Sequence, residues 1–276
     1  MRAAARIKNE QRQWAKQAGQ KPDAKGYVRK VEDNLWRPLH AETRKEFERA
    51  SGNELRGQGK RPAKLLALHS SAALACNVFD FWRDRDKSAL AKALGLDKAI
   101  ATLAFEMKLP TGLVGTPPNL DLFLTLQSGA SVAIESKFTE LYASRRSASP
   151  FKAKYFPTRH DLWTEVGLPR CQELAAAVNR GRRKFETLAP AQLLKHALGI
   201  ATQHPDRGAL LYLFYDDLGP EGSRHRDELS TFMDLLGGEV GFRALSYQQL
   251  FEGIGSLNSP DGSSYIQYLR DRYFPA

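Results

Sequence analysis

NLDLFLTL at residues 119–126, QSGA at 127–130 and SVAIESKF at 131–138 decide how this chain folds. Two runs of strand-forming residues flank a short turn-forming segment, which is the pattern of a β-hairpin. LDLFLTL and VAI are apolar on both faces, so the spacing predicts a hairpin covered on both sides. Asp121 opens one strand, and Glu135 and Lys137 stand two apart on the other. Side chains alternate along a strand, so Glu135 and Lys137 project together while Ile134 and Ser136 point the opposite way. Two carboxylates and one ammonium therefore converge on one hairpin edge. On a solvated sheet they would be an ordinary cross-strand charge pair. In a covered strand such charges are costly unless they are paired or bind a metal.

Outward from the hairpin, residues 62–81 (PAKLLALHSSAALACNVFDF) read as a buried, small-residue helix. SALAKALGL follows as a second helix with Ser88 as its cap. KAIATLAFEMKL, 98–109, has apolar positions at helical spacing and is predicted helical, ending before Pro110. TGLVGTPPN is turn chemistry, with a short strand expected at 112–115. After the hairpin come a long basic loop at 139–167, helices at 168–186 and 190–203, and a buried strand at 206–217. A helix stopped by Gly237 and Gly238, a last strand in VGFRALS and two closing helices complete the chain. That order predicts an α/β fold with a mixed central sheet flanked by helices. Residues 1–40 are expected to be a basic N-terminal arm or helical extension, and 41–276 a single domain.

The 276 residues carry 41 Lys and Arg against 31 Asp and Glu, a net charge of +10. At 42% hydrophobic and 26% charged, the composition is that of a globular chain, not a disordered or collagenous one. No apolar run approaches the ~20 residues that span a bilayer. MRAAARIKNEQRQWAK lacks the apolar core of a signal peptide, so a cytoplasmic location without membrane contact is expected. Cys76 and Cys171 lie far apart, with no CxxC or Cys/His pairing, which excludes a disulfide framework or a thiolate zinc site. There is no GxSxG and no GKS or GKT, so a serine-hydrolase elbow and a P-loop are excluded.

Nine basic residues in the first thirty face only Glu10 and Asp23. They suit either a loosely packed, phosphate-contacting arm or a solvated tail. Arg145, Arg146, Lys152, Lys154 and Arg159 form a second basic cluster, interleaved with Phe151, Tyr155 and Phe156. Those aromatics fit a nucleic-acid groove, and fit equally well as pegs holding the loop down. Arg180, Arg182, Arg183 and Lys184 make a third cluster. Gln192 and His196 are four apart on one helical face, so Gln192 is an accessory candidate, against plain helix-surface polarity. His196 is expected to be a satisfied interior histidine.

The mixed signs at the hairpin suit phosphodiester hydrolysis. One or two carboxylates hold Mg²⁺, which polarises the phosphate, and a lysine beside the attacking water stabilises developing charge. Here the sequence resembles the PD-(D/E)XK nuclease superfamily, with its restriction-endonuclease-like fold. PPNLD supplies Asp121, preceded by Leu120 where the signature has proline, and IESK supplies Glu135 and Lys137. HSSAALACNVFDFW, QLLKHALGI, LLYLFYDDLGPEGSRHRDEL and FRALSYQQLF resemble one bacterial branch of it. The resemblance implies an αβββαβ core, Mg²⁺ (with Mn²⁺ as substitute) on Asp121 and Glu135, and Lys137 acting on the water. It also implies a further acidic ligand on the helix before the first core strand, for which Glu106 in LAFEMKLP is the match. The expected function is thus a Mg²⁺-dependent deoxyribonuclease, endonucleolytic and restriction- or defence-like, with DNA as partner and a homodimer as its expected assembly. The alternatives are a catalytically silent nucleic-acid-binding protein on the same scaffold, or an RNA- or structure-specific nuclease.

Overall fold

Four helices precede the sheet in the computed structural model, which describes residues 2–50, 53–143 and 151–275: α1 (Ala3–Gln17), α2 (Ala41–Arg49), α3 (Ser71–Phe79) and α4 (Ser88–Ala93). Five strands then lie side by side in chain order: β1 (Ile100–Lys108), β2 (Asn119–Leu126), β3 (Ser131–Lys137), β4 (Gly208–Phe214) and β5 (Arg243–Ser246). β1, β2 and β3 form an antiparallel meander, because a short turn can only return the chain antiparallel. β4 and β5 run parallel to β3, and parallel neighbours require long crossovers. These are α5 (Leu162–Glu165), α6 (Pro169–Asn179) and α7 (Pro190–Gln203) before β4, and α8 (Pro220–Leu236) before β5. α9 (Tyr247–Ile254) and α10 (Pro260–Tyr273) close the chain. The result is the α/β fold with a mixed sheet and the αβββαβ order expected of a restriction-endonuclease-like core.

The hairpin is covered on both faces, as its apolar flanks require. Residues 131–136 of β3 are all buried. Its odd-numbered side chains face α7, while Ser136 turns to the Tyr247 hydroxyl of α9, 2.7 Å away on the other face. α7 comes close to the end of β1 because residue 199 is glycine: a Cβ there would sit 2.9 Å from the Leu109 carbonyl oxygen. Among the described residues, no helix is long and apolar enough to cross a membrane.

Several expectations fail on the N-terminal side of the hairpin. The helix expected over 62–81 is confined to α3, capped by the Ser70 hydroxyl, and Ser88 is the first residue of α4 rather than its cap. Residues 100–108 form β1, not a helix, so Glu106 stands on a strand. Residues 112–115 form no strand; Gly112 and Gly115 have φ of +75° and +98°, in a turn. The helical spacing has a local cause. Between Ile100 and Thr102 the register against β2 slips. That slip puts Ile100, Leu103 and Phe105 all in the core, with a three-residue step that imitates a helix.

The basic N-terminus is seated, not loose. Ala3, Ile7, Gln11 and Ala15 of α1 are buried, and Arg6 pairs with Asp217. The anchor is Arg272 of α10, only 2% exposed. Its guanidinium donates to the Gln11 amide oxygen at 3.1 Å, the Asn34 carbonyl at 2.8 Å, the Asn34 side chain and the Tyr268 hydroxyl at 2.6 Å. It also lies 4.1 Å from the Trp14 ring centroid. Among the described residues this buried cation is held by neutral acceptors and rings, with no carboxylate in the set. Arg272→Met should strand those acceptors and destabilise the protein by about 3 kcal/mol, read as a lower denaturant midpoint, with earlier proteolysis of α1.

Candidate active site

β2 and β3 place the hairpin charges by register. Leu122 pairs with Ile134, so one further step sets Asp121 against Glu135. On the other side of β2, Phe105 pairs with Leu122 and Met107 with Leu120, which sets Glu106 against Asp121. Three carboxylates thus occupy one row across three neighbouring strands. Beyond the β2–β3 ladder, the Ser136 N–H donates to the Asp121 carboxyl at 2.7 Å.

α7 completes the cluster. The Lys137 ammonium donates to Glu135 Oε1 and, at 3.1 Å, to Gln192 Oε1. His196 Nε2 lies 2.8 Å from Glu135 Oε2, close but not aligned as a hydrogen bond. Gln192 therefore turns toward Lys137, and His196 is interior but set against Glu135. The i, i+4 spacing signalled the shared helix face; nothing linear signalled that Glu135 would be opposite it.

Electrostatics separate the three carboxylates. Burial raises Asp121, and Glu135 beside it raises it further, so its carboxyl titrates well above the ordinary range. Burial also opposes charge on Glu135, but Lys137 and His196 outweigh it and hold that carboxyl below its usual value. Burial would lower the Lys137 ammonium; Glu135, Asp121 and Glu140 overcome this and raise it, so Lys137 is protonated at neutral pH.

Glu106 is pushed up to about 8, first by burial and next by the carboxylate of Glu54, with Lys64 opposing. Its side chain accepts from the Asn119 amide. Its φ of +54° lies in the left-handed region, a strain of roughly 1–3 kcal/mol for a non-glycine residue. Glu54, 5% exposed and bonded to Lys64 Nζ at 2.6 Å, is a neighbour that sequence reasoning missed, because it sits in an irregular segment without periodicity.

The donor set fits a small hard cation in one respect. Glu135 Oε2 is buried and makes no aligned hydrogen bond, having only the His196 ring nitrogen 2.8 Å away, so it retains acceptor capacity that a cation could use. Among the described residues, however, no three His, Cys, Asp or Glu side chains are grouped to hold a metal. A cation here would rest on Asp121 and Glu135 and draw its remaining oxygens from water and substrate, the habit of Mg²⁺.

The basic loop separates into tray and cations. Phe151, Tyr155 and Trp163 are buried and pack on one another, so these aromatics are pegs rather than exposed stacking platforms. Lys152 and Arg159 are exposed, and Lys154 is partly so. Arg145 and Arg146 lie outside the described residues.

A group whose folded pKa is raised above its ordinary 3.8 weakens the fold as pH climbs past that value. Asp121→Asn keeps an acceptor for the Ser136 N–H and removes the disfavoured charge. It should therefore stabilise the metal-free protein by about 1 kcal/mol at pH 7, and the gain should vanish near pH 3, as urea titrations at both pH values would read.

Residues 2–274 match the family described as "Restriction Endonuclease associating with ARP". No curated protein and no solved structure matches the chain. Since the match covers nearly every residue, and the α/β fold with its mixed sheet is consistent with a restriction-endonuclease-like core, the chain belongs to this restriction-endonuclease-like family.

Proposed function

We propose that this protein is a Mg²⁺-dependent deoxyribonuclease of the PD-(D/E)XK type, cutting DNA endonucleolytically with Asp121, Glu135 and Lys137. The observation that carries the reading is the buried Glu135 carboxylate, one oxygen on Lys137 and the other 2.8 Å from His196 Nε2, in register with Asp121. Asp121 and Glu135 would hold the cation, with Glu106 the nearest further carboxylate. Bound Mg²⁺ supplies the polarisation of the scissile phosphate and the acidification of a water. The protein's own part is positioning. The Lys137 ammonium, fixed between Glu135 and Gln192, donates to a phosphoryl oxygen or to the water and offsets charge developing there. Protonated at neutral pH, it serves as donor and not as base. As water oxygen bonds to phosphorus, one P–O ester bond breaks, leaving a phosphate end and a hydroxyl end. Lys152, Lys154 and Arg159 on the same side-chain loop, with Arg145 and Arg146, would grip the backbone.

Two further expectations belong to this reading. Cutting both strands at a symmetric site favours a two-fold dimer, which sedimentation would detect. The family is described as associating with ARP, so activity is to be assayed with and without that partner.

Plasmid DNA incubated with the purified protein should be cut in Mg²⁺ or Mn²⁺ and left intact in EDTA. Lys137→Ala and Glu135→Ala should each lower the rate by at least ~10²-fold while DNA binding persists. Either cation should also raise the thermal midpoint of the wild type but not of Glu135→Ala. Binding without cutting under every condition would favour the catalytically silent binding protein instead.

A further inference from the structure

One turn of α7 points in two directions. Gln192 and His196 face Lys137 and Glu135, while Lys195 between them leaves the cluster and lies over the aromatic tray. Its ammonium is 5.1 Å from the Phe151 ring centroid and 5.3 Å from that of Tyr155. Lys154 approaches the same Tyr155 ring at 5.5 Å and donates to the Val114 carbonyl at 2.5 Å. The tray is fixed to α7 itself: Trp163, fully buried, donates its indole N–H to the Leu194 carbonyl at 2.7 Å. So the helix that orients the candidate catalytic lysine through Gln192 also sets the position of a second cationic group, three residues along.

We infer that Lys195, together with Lys152 and Lys154, forms a phosphate seat that holds the nucleic-acid backbone next to the phosphate undergoing cleavage. The inference rests on the nucleic-acid reading above and extends it to a residue outside the sequence-derived clusters. The Lys154 and Lys195 ammoniums share the Tyr155 ring, and Lys152, two residues before Lys154, adds a third positive charge that repels Lys195. The Lys195 ammonium is lowered by burial and then by Lys152 and Lys154, so an added anion relieves a repulsion already present. Ammoniums on mobile stems suit the phosphate as point charges, without demanding base identity. The rings beneath confine the stems, so less side-chain freedom remains to be lost on binding.

The test is the salt dependence of binding to a duplex by the wild-type protein in EDTA, followed by fluorescence anisotropy between 50 and 200 mM salt, roughly the range over which counterion release is read. Lys195→Gln keeps the stem over the rings and removes the charge. It should flatten the plot of log affinity against log salt by about 0.9, with Lys195→Arg restoring the wild-type slope. Lys152→Gln, at an exposed position that leaves the core untouched, should flatten it by a similar amount. If the wild type binds with a clear salt slope that neither glutamine variant changes, the seat is wrong and the nuclease reading stands. If the wild type shows no salt-dependent binding at all, the nucleic-acid reading fails and the seat fails with it.

Discussion

A carboxylate buried in the middle of a sheet is the constraint on which the rest of this structure turns. Glu135 is 1% exposed, on a strand covered on both faces, and it keeps its charge only because Lys137 and His196 stand against it. An unpaired charge at such depth is more than a domain of this size can tolerate. The strand must therefore carry Lys137 two residues on, and α7 must return across it with His196 inward. The Gly199 close approach to Leu109, the Trp163 anchor on Leu194 and the long crossover from β3 to β4 all serve that return.

The same arrangement turns neighbouring residues of α7 in two directions. Gln192 and His196 answer to β3, and Lys195 answers to the tray of Phe151, Tyr155 and Trp163. The row of Glu106, Asp121 and Glu135 crowds three carboxyl groups into a covered site, and burial first, then neighbouring carboxylates, raise the titrations of Asp121 and Glu106. Sites that store such repulsion trade stability for function. Near the C-terminus of the chain, Arg272 does the converse: a buried cation provided with acceptors fastens α1 and the 31–34 turn to α10.

Much of this is legible in the sequence. Alternation along SVAIESK places Glu135 and Lys137 on one face because strand geometry has a period of two. The helices at 190–203 and 220–236 follow from their spacing and their flanking Pro and Gly, while the one expected over 168–186 ends already at Asn179. β1 departs from its helical pattern for a physical reason. Its residues, Ala, Leu, Met, Glu and Lys among them, favour helix, and its register slip disguises the alternation; only pairing with β2 makes it a strand. The aromatics of the basic loop were ambiguous because a ring among cations looks the same whether it faces solvent or core. Burial decides that, and burial is not a local property.

By itself, then, the sequence determined what depends on short-range geometry: the hairpin, the converging Asp121, Glu135 and Lys137, the mixed α/β order and the positive surface. Tertiary structure alone decided what depends on residues far apart in the chain. It brought Gln192 and His196 to the hairpin across more than fifty residues, set Glu106 on a strand in the same row and placed Glu54 beside it. It also turned a basic terminus into a packed helix held by Arg272 from the far end. Those contacts arise because the crossovers and the buried charges have few joint solutions, and no periodicity along the chain encodes which distant partners meet.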